Sequence, residues 1–312
     1  MNSPITDFWS THLSMPLGRH MTQTFASDCA PGDTFLMLAA RAGEDRDKLR
    51  LIADLYVTYN ADRPDKMYSE KILPDGSKIG GYDHGHFGFS VLSEIIQLWP
   101  DDEVAERAWA LMVKHGMLYY TEKNSYLALK SKSYGQTGRC RISAMCVRFL
   151  CDVYEAANVR FDGHAASLAF NLLSSHLNNI AGQDMADGPQ GDGLLLPHWR
   201  CFQVGILMAA LERAKHVTGI DTTPLVDRFR PIVEAGVCRN AEGKPNGSFW
   251  YDVPHPITTP EPWTSLPGWK LGNGNGVELW IYRYLPPDAQ AVIRAANPKL
   301  PSAVAVKYWM PV

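Results

Sequence analysis

The chain has 312 residues, of which 46% are hydrophobic and 20% charged, a composition typical of a globular protein with a large core. Its net charge of −3 provides no overall positive field, which argues against a nucleic-acid-binding protein. No run approaches the roughly 18–20 apolar residues of a membrane span, and no signal-peptide pattern opens the sequence. We therefore expect a soluble protein without nucleic-acid or membrane partners. Compartment and oligomeric state are left open by the sequence.

Hydrophobic residues recur at helical spacing along most of the chain. After an irregular segment at 1–32, predicted helices cover 34–42, 45–60, 87–98, 102–120, 138–157, 162–179, 199–217, 223–235, 275–284 and 287–296. No convincing strand alternation interrupts them, and most helices follow each other in sequential pairs. Every second connection is long. This rhythm predicts an all-α fold, an α/α toroid built as a ring of helical hairpins, with one domain over 1–312. A solenoid is the competing arrangement, although no fixed-period repeat is visible.

The six cysteines contain no Cys-x-x-Cys spacing, so the sequence lacks the pattern of zinc and thioredoxin-type sites. Three of them, Cys140, Cys146 and Cys151, fall in one predicted helix, where we expect buried thiols. We predict no metal site and no cofactor.

Several proton-transfer groups gather between residues 73 and 100, at the start of a predicted helix. A histidine at a helix N-terminus has its neutral form favoured by the helix dipole, and a neutral imidazole can accept a proton. We interpret Tyr82, His84 and His86 as candidate catalytic residues. The alternative is that the two histidines only pack against or cap the helix.

Positive charge and aromatic rings meet between residues 123 and 148. Arg139 opens an apolar helix, where a guanidinium can hold a carboxylate through two hydrogen bonds. Tyr134 precedes it, and aromatic faces stack on sugar rings. The combination fits an anionic sugar chain, while a solvated basic loop or a phosphate site at the helix N-terminus are the alternatives.

Two further segments combine stacking surfaces with polar groups. The start of the predicted helix at 199–217 offers a proton carrier, an aromatic ring and a cation. The excursion at 239–272 is rich in proline and tryptophan, and we expect either a lid and sugar platform or core that plugs one end of the ring. The substrate-binding candidates in these segments are His198, Trp199, Arg200, Trp250, Trp263 and Trp269.

The run Asp75-Gly76-Ser77-Lys78-Ile79, followed by Tyr82 and by Gly85-His86-Phe87-Gly88 before a Leu/Ile-rich helix, resembles the toroid domain of polysaccharide lyases. Hyaluronate and chondroitin lyases are the closest likeness, and alginate lyases of the same superfamily carry a similar stretch. Gly138-Arg139-Cys140-Arg141-Ile142-Ser143 resembles the later Gly-Arg-x-x-x-Ser segment of that family.

The likeness covers about residues 70–150 and implies Tyr82 as catalytic base and acid, with Arg139 as partner of the substrate carboxylate or of the tyrosinate. The histidine that the family carries after its Asp-Gly-Ser segment is absent, so His84 or His86 is considered as its replacement.

These features predict an eliminase that cleaves a uronic-acid-containing polysaccharide. A base removes the proton next to the carboxylate, the linked sugar is expelled, and a cation on the carboxylate makes that proton more acidic. Tyr82 or His86 is assigned as the base and Arg139 as the carboxylate partner. The expected partner is therefore an anionic polysaccharide or oligosaccharide.

Three other interpretations stay open. A toroid glycoside hydrolase would need two acids at the cleft, with candidates Asp83, Asp192, Asp252 and Glu261. A terpene-type hydratase or isomerase would use Cys201 in an apolar pocket, although a buried structural thiol is the simpler expectation for that residue. A helical scaffold without enzymatic activity predicts that Tyr82, His84, His86 and Arg139 do not converge.

Overall fold

The structure, a computed structural model, describes residues 45–61, 71–72, 78–79, 85–113, 139–182, 198–250, 252–254, 268–270 and 281–296. The helices in these ranges are α1 (Arg46–Ala61), α2 (Gly85–Leu98), α3 (Glu103–Leu111), α4 (Arg139–Val159), α5 (Gly163–Ala181), α6 (Cys201–Thr218), α7 (Thr223–Ala235) and α8 (Pro287–Ala296). The described part of the chain is mostly helical, which confirms the predicted helical character. The predicted helix at 34–42 and the irregular segment at 1–32 lie outside the described residues.

Short antiparallel strands accompany the helices. They are β1 (Lys71–Ile72), β2 (Lys78–Ile79), β3 (His198–Arg200), β4 (Val237–Arg239), β5 (Pro245–Trp250), β6 (Asp252–Pro254) and β7 (Gly268–Lys270). They form sheets in the orders β1–β2, β3–β6 and β4–β5–β7. The expectation that strands are absent is wrong at these places, since segments of two to six residues are too short to show a clear alternation.

The chain divides into two compact units. Unit 1 comprises 1–124, 148–173 and 305–312, and unit 2 comprises 125–147 and 174–304. The single domain expected over residues 1–312 stays a prediction.

In unit 1, one carboxylate caps α3 and holds α1 against it. Asp102 is the N-cap residue of α3, and its Oδ1 accepts a hydrogen bond from the Val104 backbone N–H at 2.8 Å. Arg50 of α1 donates to both carboxylate oxygens, at 2.8 and 2.7 Å. The hydrogen bonds from Arg50 lower the pKa of Asp102, and the Val104 N–H lowers it further. Asp102 therefore stabilises a helix start and a helix–helix contact together.

The turn between α4 and α5 reverses the chain within three residues of unit 1. Phe161 has φ of 58°, in the left-handed region that usually favours glycine, and its side chain is 94% exposed. The Asp162 N–H donates to the Ala157 carbonyl at 2.9 Å, the closing bond of a Schellman motif. Asp162 Oδ1 then accepts the Ala165 N–H at 3.0 Å and caps α5.

In unit 2, α6 and α7 form a helical hairpin whose connection is held by side chains. Thr222 Oγ1 donates to the Leu211 carbonyl at 2.6 Å, and Lys215 Nζ lies 2.9 Å from Asp221 Oδ1. Arg228 of α7 donates to the carbonyl of Ala181 at 2.7 Å, at the C-terminal end of α5. The observed α7 has the bounds predicted for it, 223–235.

Two predicted helices have a different kind of backbone at one end in the structure. The helix predicted at 199–217 begins at Cys201, because residues 198–200 pair with 252–254 as strands. The described end of the helix predicted at 275–284 is a 3₁₀ turn at Tyr282–Tyr284. In both cases the irregular backbone lies next to a tertiary partner that helical periodicity does not reveal.

Candidate functional site

Two of the predicted catalytic residues begin helices. His86 is the second residue of α2, and Arg139 is the first residue of α4. Backbone N–H groups at a helix N-terminus lack partners within the helix, and the helix dipole adds partial positive charge there. Tyr82 and His84 lie outside the described residues, so the convergence of these four residues stays a prediction.

The predicted substrate-binding segments of unit 2 are joined by strand pairing. His198, Trp199 and Arg200 have Pro254, Val253 and Asp252 as their respective Cα partners. The structure therefore places the strand at 198–200 beside the aromatic excursion, although these segments are about fifty residues apart in sequence. The prediction that residues 198–200 begin a helix is wrong, because they form a strand. Their assignment as substrate-binding residues stays a prediction.

The aromatic excursion also pairs with itself. Trp269 is the Cα partner of Phe249, and Gly268 is the Cα partner of Trp250. The Trp250 N–H donates to the Gly236 carbonyl at 2.7 Å, and Phe249 is fully buried. Part of the excursion is thus an ordered three-stranded sheet. Tyr134 and Trp263 lie outside the described residues.

The thiols of unit 2 are structural in character. Cys201 is buried, and its Sγ donates to the Ile232 carbonyl at 3.5 Å, across the α6–α7 hairpin. Burial raises the pKa of Cys238 to about 12. A thiol that stays protonated is a poor nucleophile, so Cys238 does not suit nucleophilic catalysis at neutral pH. The expectation of a buried Cys201 is confirmed.

A group of buried charges in unit 1 was not anticipated from the sequence. Glu94 of α2, and Arg148 and Asp152 of α4, are all buried, and each has interaction partners within the structure. Ser93 Oγ donates to the Asp152 carbonyl at 3.2 Å and fixes α2 against α4 at this level. The alternative of a solvated basic segment is therefore wrong for Arg148. The four-residue spacing of Arg148 and Asp152 inside an apolar helix was the available signal.

A second unanticipated cluster lies in unit 2. Glu212 Oε2 accepts a hydrogen bond from the Tyr284 hydroxyl at 2.8 Å and lies 2.7 Å from Arg283 Nη1. Burial raises the pKa of Tyr284 well above its usual value, and the charge of Glu212 adds to the effect. The phenol is a permanent donor at neutral pH. Tyr284 is 2% exposed, whereas the side chains of Glu212 and Arg283 are 29% and 35% exposed, so the phenol is closed to solvent but the ion pair is not.

Neither a membrane span nor a metal cluster is found in the part of the chain that the structure describes. None of its helices is both long and apolar enough to cross a bilayer. Among the same residues, no group of three or more His, Cys, Asp and Glu side chains could hold a metal ion.

No relative of this chain was found among known proteins. Comparisons with protein-family models, curated proteins and solved structures returned no match. Any function must therefore be argued from the residues of this chain.

Proposed function

We propose that the protein is a polysaccharide lyase that cleaves a uronic-acid-containing polymer by β-elimination. Tyr82 or His86 removes the proton next to the uronate carboxylate, and Tyr82 returns a proton to the leaving oxygen. Arg139 neutralises the carboxylate. His84 is the further candidate for the base. Each step moves a proton or stabilises charge, which these side chains can do without a cofactor.

The observation that carries this proposal is the position of His86 and Arg139 in the first turns of α2 and α4. At such a position the helix dipole favours a neutral imidazole, which a general base requires. The same dipole, and the backbone N–H groups that have no acceptor within the helix, favour a carboxylate beside Arg139. The Asp-Gly-Ser and Gly-Arg-x-x-x-Ser segments provide independent support from the sequence.

The strand pairing in unit 2 supports an extended carbohydrate surface. β3 carries His198, Trp199 and Arg200 alongside β6, which follows Trp250 by two residues. Aromatic rings stack on sugars, and an arginine recognises carboxylates, so this composition suits an acidic sugar chain.

The toroid is proposed as the arrangement of the helices. Its support is the sequential pairing: α2 packs on α3 and α6 packs on α7. The rings of Tyr154 in α4 and Phe170 in α5 have centroids 6.0 Å apart, as expected for a third hairpin. Helical hairpins in series are the building units of such a ring.

The test is an assay on a panel of uronate polymers, with ultraviolet absorbance reporting the unsaturated product and reducing ends reporting total cleavage. We expect both signals to rise together. Tyr82→Phe and Arg139→Lys should each lower kcat/KM by about 100-fold or more, since each removes a group that acts in the transition state. His164→Ala and Arg294→Lys, at exposed positions of α5 and α8, are the matched controls.

Reducing ends without absorbance would instead indicate a hydrolase. One observation favours the hydrolase as a second candidate. Asp252 is the Cα partner of Arg200, so a carboxylic acid residue lies in the strand pair predicted to bind the substrate. If no polymer is cleaved, or if Tyr82→Phe retains full activity, the lyase assignment is wrong.

A further inference from the structure

Asn246 and Gly247 follow each other in β5, where the strand departs from regular pairing. Val237 pairs with Phe249 and Arg239 with Pro245, so the register shifts between these two positions. Asn246 is exposed, and Gly247 has φ of +80°. A Cβ on Gly247 would meet Val292 Cγ1 at an ordinary 3.7 Å, so the need for glycine comes from the backbone angle and not from crowding.

The side chain of Asn246 is held against its own backbone. The Ser248 N–H donates to Asn246 Oδ1 at 2.9 Å, which closes an Asx turn over Gly247. A donor aimed at a carbonyl oxygen stabilises the negative charge that develops there when a nucleophile attacks the carbon. The nucleophile available to the side-chain carbon is the next backbone nitrogen in the chain, that of Gly247, a residue without a Cβ to obstruct the approach.

We propose that Asn246 is a site of spontaneous deamidation, independent of the activity proposed above. The deprotonated Gly247 nitrogen attacks Asn246 Cγ, the C–N bond to the side-chain amide breaks, and ammonia leaves with a proton from solvent. The resulting succinimide takes up one water at either carbonyl. Opening at one carbonyl yields aspartate, and opening at the other yields isoaspartate. The sum is asparagine plus water giving an acid plus ammonia.

The modification matters because β5 is the central strand of its sheet. Ser248, Phe249 and Trp250 pair with β7, and Phe249 is fully buried. Isoaspartate adds a methylene to the main chain immediately before these residues, whereas aspartate adds only a charge. Ageing of the protein thus acts on the sheet that carries two of the predicted sugar-binding tryptophans.

Asn240 provides a matched control within the same hairpin. It is also exposed, and its Oδ1 accepts the N–H groups of Glu242 at 3.1 Å and Lys244 at 2.9 Å. The residue after it is Ala241, whose Cβ obstructs the attacking nitrogen. Both asparagines are therefore exposed and accept backbone N–H groups at Oδ1, but the following residue is glycine in one case and alanine in the other.

The experiment is incubation of the full-length folded protein at several pH values, with peptide-resolved mass spectrometry over time. Asn273 and Asn275 also precede glycines, so products must be assigned peptide by peptide. We expect Asn246 to convert to aspartate and isoaspartate at a rate proportional to hydroxide concentration. The rate should exceed that of Asn240 by at least about tenfold, equivalent to roughly 1.4 kcal/mol in the barrier.

An Asn246→Gln variant should fold normally and lose the reaction at this peptide, because ring closure from a longer side chain is slower. A parallel sample in urea measures the intrinsic rate of the unfolded chain. If Asn246 in the folded protein reacts as slowly as Asn240 while the unfolded sample reacts rapidly, β5 protects the residue and the proposal is overturned.

Discussion

Replacing Gly236 by alanine tests how closely the end of α7 packs against β5. A Cβ at this position would lie 2.7 Å from Phe249 Cε2 and 2.9 Å from Cys201 Sγ, with Phe249 Cζ nearer still. All of these distances are shorter than real Cβ contacts. Neither neighbour can retreat easily, since Phe249 is fully buried in the central strand and Cys201 is buried in α6.

The backbone itself would accept alanine. Gly236 has φ of −67° and ψ of −16°, within the right-handed helical region, so the substitution gains roughly 0.4–1 kcal/mol from the unfolded chain. Overpacking of a tight core costs about 1–3 kcal/mol, and the short distances place this site at the upper end. We expect Gly236→Ala to lower the free energy of unfolding by about 2 kcal/mol.

The assay is urea unfolding followed by tryptophan fluorescence, with Gly163→Ala as the matched control. Gly163 is the first residue of α5, and a Cβ there meets nothing within 4 Å, so that variant should be unchanged or slightly more stable. Adding Phe249→Leu should cost less in the Gly236→Ala background than in the wild type, because the smaller side chain removes the clash. Strict additivity, or a Gly236→Ala protein as stable as the wild type, would refute the packing argument.

Three further substitutions probe other contacts. Phe161→Gly should raise the stability by about 1 kcal/mol, since glycine adopts the left-handed angle without strain and the exposed ring loses nothing; a lower urea midpoint would contradict this. Tyr284→Phe should cost about 1–2 kcal/mol at neutral pH by removing the hydroxyl from Glu212. The raised pKa of Tyr284 also means that wild-type stability is lost as pH rises above about 10, and the variant should lose less over that range in pH-dependent thermal unfolding. Asp102→Ala should cost about 1–2 kcal/mol through the lost cap and the lost Arg50 contact, whereas Asp102→Asn should keep most of the cap. Because the pKa of Asp102 is lowered, the wild-type advantage over Asp102→Asn should disappear as pH falls below about 4, and an advantage that persists in acid would argue against the ion pair.

Helices with local signals were predictable from the sequence. The helix expected at 45–60 is α1 at 46–61, and the helix expected at 223–235 is α7 with the same bounds. In both, apolar residues recur with helical period and a polar residue marks the start, so the information lies within the segment itself.

The strands and the buried charges depend on distant partners. Residues 198–200 have no alternating pattern, and they are extended because 252–254 lie alongside them. Arg148 ends the basic run between residues 123 and 148, which suggested a solvated surface, but the structure buries it in α4, where the Asp152 carbonyl accepts a hydrogen bond from Ser93 of α2. For the candidate site, the sequence predicted that His86 and Arg139 lie at the starts of two helices, and they do. That their side chains converge stays a prediction.

The pairing of β3 with β6 has a consequence for the order of folding. The α6–α7 hairpin closes through a connection of a few residues, whereas β3 and β6 must close a loop of about fifty residues before any of their hydrogen bonds form. Contacts that are distant in sequence form slowly, so the helical hairpin is expected to form first and the aromatic strands to be added onto it. A chain still emerging from the ribosome exposes His198–Arg200 until residue 254 has been made.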